Sequence, residues 1–234
     1  AEDASPSGDV NRRGNLGHVN AGFSFGGGQK TPGYLRNSRR NQKAMQKALA
    51  SSALRRTAGI IDTAVAAHFD KSHAFMTEKM KELQTLKPHN PIFKNTVFPC
   101  CTINSGPRAI SLPHRDSHNL AFGVCAVHAQ GNFDPDKGGH LILWDLGLVV
   151  RFPPGTTLIF PSALIRHSNV ALNSEDEVRR SFTLFFPGHL ARWADNGGVT
   201  DKTLQSTFDE YDWQKKKLEC SVRVDDVCEF FPVT

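Results

Sequence analysis

Residues 155–186 read GTTLIFPSALIRHSNVALNSEDEVRRSFTLFF. Two β-rich runs, GTTLIF and RRSFTLFF, flank a polar stretch that holds His167. Thr, Ile, Val and Phe bounded by Gly, Pro, Asn and Ser are the composition of strands joined by turns. Similar runs lie upstream: NTVFPCCTINSG from Asn95, NLAFGVCAVHAQG from Asn119 and GHLILWDLGLVVRF from Gly139. DPDKGG and PPG separate them. Short strands at this spacing predict a sandwich or barrel over about residues 95–192.

The texture before Asn90 is different. NQKAMQKALASSALRR, from Asn41, sets Met45, Ala48, Leu49 and Leu54 at helical spacing. GIIDTAVAAHFDKSHAFMTEKMKELQTL, from Gly59, continues with Ile60, Ile61, Val65, Phe69, Phe75, Met76, Met80 and Leu83 along one side. Pro88 and Pro91 end the pattern. Residues 41–86 are therefore expected to form two or three helices. From about Trp193 to residue 234 the pattern is again polar and helical. Residues 1–40 have the loop chemistry of FGGGQKTPG and are expected to be a basic, Gly-rich arm on a single domain spanning 41–234. The fold class is α+β, with the N-terminal helices packed on one sheet of the β core.

The 234 residues carry a formal charge of +5, and its distribution says more than its total. No Asp or Glu occurs from Val10 to Ile61, a window holding Arg12, Arg13, Lys30, Arg36, Arg39, Arg40, Lys43, Lys47, Arg55 and Arg56. Such asymmetry fits either an electropositive face toward a polyanion or a solvated arm. The five cysteines form no CxxC pair, no N-x-S/T sequon occurs, and no apolar run reaches the roughly 18 residues of a membrane span. The opening AEDASPSGDV is not a signal peptide. These features set the expectation of an intracellular protein with reduced thiols.

The stretch SLPHRDSHNL, residues 111–120, places His114 and Asp116 two apart. On a strand, residues i and i+2 face the same way. His167, 53 residues on, is far enough along for the chain to return to the same barrel mouth. Two histidines and one carboxylate are the facial triad of non-haem Fe(II) oxygenases. An enzyme of that kind that uses 2-oxoglutarate needs a buried cation for the far carboxylate. VRRSFTLFF offers Arg179 and Ser181 on one face, with Arg180 on the other.

HxD, a distal His and R-x-S on a β-rich core resemble the Fe(II)/2-oxoglutarate dioxygenase superfamily. That resemblance implies a double-stranded β-helix, or jelly roll, over roughly residues 95–192. More narrowly, HRDSHN is similar to the HRD-x-HN signature of the TET/JBP nucleic-acid base dioxygenases, and GGGQ with the preceding helices resembles their compact fungal branch. The resemblance implies that His114, Asp116 and His167 hold Fe(II) and that Arg179 with Ser181 holds 2-oxoglutarate. It also implies that Asn119 and His118 sit near an extruded base. O2 is the further cosubstrate, ascorbate the expected reductant, and DNA carrying a methylated base the partner. The base would be 5-methylcytosine, with N6-methyladenine as an alternative, and the expected location is nuclear. No Cys-rich zinc annex is present, so the acid-free stretch is the candidate for gripping DNA. Two other functions stay open: a prolyl-type protein hydroxylase on the same core, and a jelly-roll binding module without turnover.

GFSFG at residues 22–26 fits G-x-S-x-G but lacks the flanking strand and helix of a nucleophile elbow. Neither H-E-x-x-H nor a deaminase H-x-E with P-C-x-x-C occurs. Cys100 and Cys101 are expected to be buried strand thiols, and Asp145 to fix a turn.

Overall fold

The computed structural model describes residues 17–231, with every side chain in that range except those of 219–226 and 228. Nine strands are β1 (His18–Ser24), β2 (Gly33–Tyr34), β3 (Cys100–Asn104), β4 (Cys125–Asn132), β5 (Leu141–Leu143), β6 (Leu148–Val150), β7 (Thr157–Phe160), β8 (His167–Asn169) and β9 (Val178–Phe185). The helices are α1 (Arg39–Ala50), α2 (Ser52–His68), α3 (Asp70–Leu86), α4 (Gly188–Asp195), α5 (Asp201–Gln205) and α6 (Glu210–Asp225). Short 3-10 turns cover Trp144–Leu146 and Asp226–Phe230.

Ser38 and Ser51 start α1 and α2, each hydroxyl accepting a first-turn backbone N–H, from Asn41 and Leu54. The helices run as the spacing predicts, with one difference. Ile61 is 2% exposed but Ile60 is 63% exposed. Neighbouring helical residues point about 100° apart, so only one of the pair can face the core.

The strands form two antiparallel sheets, ordered β2-β1-β3-β9-β4-β7 and β6-β5-β8. Period-two alternation gives the large sheet two different faces. Phe182, Leu184 and Phe186 from the β9 segment, Cys101 from β3, and Val19, Ala21 and Phe23 from β1 join one core cluster with Ile61, Val65, Met76 and Leu83 of the helices. Fully burying one such Phe or Leu contributes about 1.5–3 kcal/mol. The interleaved residues Arg179, Ser181, Thr183, Thr102, Asn104, His18 and Asn20 line a cavity on the other face. A second cluster, made of Ala129, Leu141, Leu143, Phe152 and Phe160, joins the small sheet to β4 and β7.

Gly131 is needed where β4 meets β9. It sits opposite Arg179 with φ +126°, and a Cβ there would lie 2.0 Å from Val178 O.

The expected arm of residues 1–40 needs correction. His18–Ser24 is a full strand that pairs with β3 over five residue pairs, and α1 begins at Arg39. HVNAGFS alternates apolar and polar residues, a strand signal that its Gly- and Asn-rich surroundings obscured. Arg12 and Arg13 lie outside the described residues. Trp144 is 47% exposed on a 3-10 turn that follows β5, and Asp145, expected to fix a turn, shares it. Trp193 is buried on α4. Among the described residues no helix is long and apolar enough to cross a membrane.

Candidate metal and anion site

His114 lies in a short bridge beside β8, pairing antiparallel with His167. Its N–H donates to His167 O at 3.0 Å, and the His167 N–H donates to His114 O at 2.8 Å. Asp116 N–H donates to Ser162 O at 3.0 Å, so the HxD segment is pinned to the 162–167 chain at both ends. Ligand atoms of His114, Asp116 and His167 all lie within 4.8 Å of one another. His114 Nε2 is 3.5 Å from Asp116 Oδ1, and His167 Nε2 is 3.9 Å from Asp116 Oδ2.

The donor chemistry of this cluster fits a divalent cation. His114 Nδ1 faces Leu112 O at 2.7 Å, and His167 Nδ1 faces Ile165 O at 2.9 Å. A carbonyl accepts only, so each Nδ1 carries a proton and Nε2 is the atom each ring turns toward the carboxylate and could offer to a cation. Phe160 packs edge-on against the His167 ring at 4.9 Å between centroids and limits its rotation. Two imidazoles and one carboxylate on one side of a cation would leave its other side open, the arrangement suited to non-haem Fe(II).

Arg179 lines the same cavity, which has a volume of about 480 Å³. It is 3% exposed, and Nη1 donates to Ala109 O at 3.0 Å. Nε has no hydrogen-bond partner, and no carboxylate among the described residues pairs with the guanidinium. Burial alone lowers its pKa to about 10, so it stays charged at neutral pH. Removing an ion from water costs several kcal/mol unless it is paired. The site therefore suits an anion. Among the described residues, Asp116 is the only carboxylate lining the cavity. Ser181 lies two residues along β9 on the same face, and its Oγ accepts from Asn104 Nδ2 at 2.8 Å. That bond leaves the Ser181 hydroxyl proton available to an anion beside Arg179. Arg180 does not line the cavity.

His118 and Asn119 line the cavity as well, beyond the turn that Asn119 N–H closes on Asp116 O at 2.8 Å. Asn119 Nδ2 donates to Ser162 Oγ at 3.3 Å, which leaves its carbonyl to accept from a ligand. His189, at the start of α4, stands 5.6 Å from the His118 ring. Burial and then Arg192 lower its pKa, which favours the neutral ring. The sequence did not single out His18, Asn20, Asn104, Asn169 or His189, all of which line the cavity. Alternation with Thr102 could have put Asn104 on a face. Its partner, Ser181 on β9, is a tertiary fact.

Other cysteines and histidines of the chain lie away from this cluster. Cys100 and Cys101 are buried in β3, where burial pushes both thiols up, Cys101 to about 12. His128 bonds Thr157 Oγ1 on β7, His73 pairs with Asp62, and His89 stacks on Phe23. The basic stretch is divided by the sheet. Lys43, Lys47, Arg55 and Arg56 are exposed on α1 and α2. Met45 of α1 and Ala58 of α2 pack with Val19 and Ala21, on the face opposite the cavity. Lys30 and Arg36 are exposed in the segment whose Gly26, Gly27 and Leu35 line the cavity.

No family model matches the chain, and neither does any curated protein. Solved structures do. The chain is similar to NgTET1 in complex with 5mC DNA, at 18% identity and a TM-score of 0.48, covering 73% of this chain and 60% of that one. It is also similar to a 2OG-Fe(II) oxygenase family oxidoreductase from Burkholderia pseudomallei, at 17% identity and a TM-score of 0.40, covering 79% and 73%. A third is the viral collagen prolyl hydroxylase of Paramecium Bursaria Chlorella virus-1 in its 2OG complex, at 15% identity and a TM-score of 0.30, covering 47% and 69%. The chain thus spans 60% of the NgTET1 chain it resembles.

Proposed function

We propose that this chain is an Fe(II)- and 2-oxoglutarate-dependent dioxygenase on a double-stranded β-helix core, acting on the methyl group of a methylated DNA base. One observation carries the reading. A buried guanidinium that no carboxylate among the described residues pairs with shares a cavity with a His–Asp–His cluster whose imidazole Nε2 atoms face one carboxylate. The chain thus offers one site for a cation and another for the far carboxylate of a dicarboxylate.

His114, Asp116 and His167 would hold Fe(II). With 2-oxoglutarate and O2, that ion supplies oxidation of a methyl group to hydroxymethyl, releasing succinate and CO2. The protein supplies geometry and dryness. The Leu112 and Ile165 carbonyls keep both imidazoles in the ligating tautomer. Arg179 binds the far carboxylate and Ser181 donates a second hydrogen bond to it. Leu141, Leu143, Phe152 and Phe160 form an apolar cluster beside the His167 ring. His118, Asn119 and His189 line the same cavity and offer hydrogen bonds, as the edge of an extruded base requires. A cavity with a single carboxylate among the described residues suits a polyanionic substrate, and Lys30 and Arg36, exposed in the segment that contributes Gly26, Gly27 and Leu35 to its lining, would meet phosphates. The favoured base is 5-methylcytosine, with N6-methyladenine as the alternative, and action on DNA would place the protein in the nucleus.

The test is nucleoside mass spectrometry after incubation with methylated duplex, Fe(II), ascorbate and 2-oxoglutarate. Hydroxymethylated nucleoside appearing with succinate is expected. Succinate release coupled only to a hydroxylated peptide would overturn the substrate, and no coupled succinate with any substrate would overturn the class.

A further inference from the structure

Asp145 sits on the Trp144–Leu146 turn, outside the cavity lining. Its carboxylate nevertheless touches both chain segments that carry the cation ligands. Oδ2 accepts the Arg166 backbone N–H, the peptide just before His167, at 2.6 Å. Both oxygens accept from Arg115 Nη2, at 3.1 and 3.0 Å. Arg115 is the residue between His114 and Asp116. The same Arg115 donates through Nε to Leu164 O at 2.8 Å. Arg115 points outward because its neighbours on both sides point inward.

We propose that Asp145 and Arg115 form an external clamp that sets the spacing of the metal ligands and thereby the affinity of the site for its cation. The proposal rests on the metal-site reading given above. The backbone already joins the two segments through the His114–His167 pair and the Asp116 N–H to Ser162 O bond. Arg115 and Asp145 add side-chain attachments beside those bonds, outside the cavity lining. Shear that would part Asp116 from His167 must break the Arg115–Leu164 or Arg115–Asp145 contact as well. Asp145 and Arg115 touch no reacting atom, so both are positioning residues. Outer partners of metal ligands typically tune affinity by about 10–100-fold.

The experiment is titration of the full chain with Co(II), read by visible absorbance, alongside thermal unfolding without metal. Wild type, Asp145→Asn, Arg115→Lys, the double variant and Asp116→Ala are compared. Asp145→Asn and Arg115→Lys are each expected to weaken Co(II) about tenfold. The double variant should be no weaker than either single one, because both act through one contact. The metal-free Tm should stay within about 2 °C of wild type, as for an exposed pair. Unchanged Co(II) affinity in both single variants, with Asp116→Ala non-binding, overturns the clamp and leaves the metal site standing. Weakening that tracks a fall in metal-free Tm overturns it too, since the contact would then be a prop for folding. Wild type that binds no Co(II) overturns the metal site itself, and the clamp with it.

Discussion

His114 and His167 exchange both of their backbone hydrogen bonds, and their ring centroids lie 4.3 Å apart. The two imidazoles are thus cross-strand neighbours whose backbones are joined directly. A ligand side chain can be removed without dismantling the scaffold that carries it. Asp116→Ala is expected to keep the wild-type Tm within a few degrees and to lose succinate release by about 100-fold or more. Retained Fe(II)-dependent turnover would remove the triad.

Register on β9 separates Arg179 from Arg180. Replacing a charged hydrogen-bond donor that meets a carboxylate costs about 1.5–3 kcal/mol, or roughly 10–100-fold. Arg179→Gln should raise the KM for 2-oxoglutarate by that factor, while Arg180→Gln leaves it within about twofold. The reverse ranking would mean that the anion sits on the other face of the strand.

Asn104 acts on the same site at one remove. Its amide occupies the Ser181 acceptor and so turns the Ser181 proton toward the cavity. Asn104→Ala and Ser181→Ala should each raise the 2-oxoglutarate KM by about 3–10-fold, the worth of one neutral hydrogen bond. Isothermal titration with the Zn(II)- or Mn(II)-loaded protein measures this without turnover.

The helix-facing side of β9 carries stability instead. Phe182 is 1% exposed, and Phe182→Ala should cost about 3–5 kcal/mol and lower Tm by on the order of 10 °C. Ile60→Ala, on the exposed side of α2, should stay within about 0.5 kcal/mol. Equal losses from the two would contradict the sidedness of the helix layer.

Cations divided by the sheet should behave differently toward duplex. Lys30→Gln with Arg36→Gln is expected to weaken binding of a methylated duplex and to flatten the log–log salt slope by about two units. Lys43→Gln with Lys47→Gln should change neither. Salt titrations that rank the pairs the other way would place the duplex across α1 and α2.

Strand and helix content, and the spacing of His114, Asp116, His167 and Arg179, were legible in the sequence because they are written in local alternation and fixed residue chemistry. Strand β1 was not. Its alternation is short and sits among glycines and asparagines, so its strand character depends on pairing with Cys100–Asn104. Ile60 and Ile61 were indistinguishable in the sequence for a related reason: helical periodicity defines a stripe, and only the neighbouring sheet selects its centre.

By itself, the sequence determined the chemical inventory, which is two imidazoles, a carboxylate and a guanidinium, with His167 and Arg179 on strand-forming segments. The tertiary structure alone decided that these groups share one cavity and that Asn104 orients Ser181. It alone tied Asp145 to both ligand-bearing segments and put the α1–α2 cations behind the sheet. The physical reason is range. Alternation and propensity act over a few residues, whereas these relations join residues dozens of positions apart through hydrogen bonds and packing that exist only once the sheets have formed.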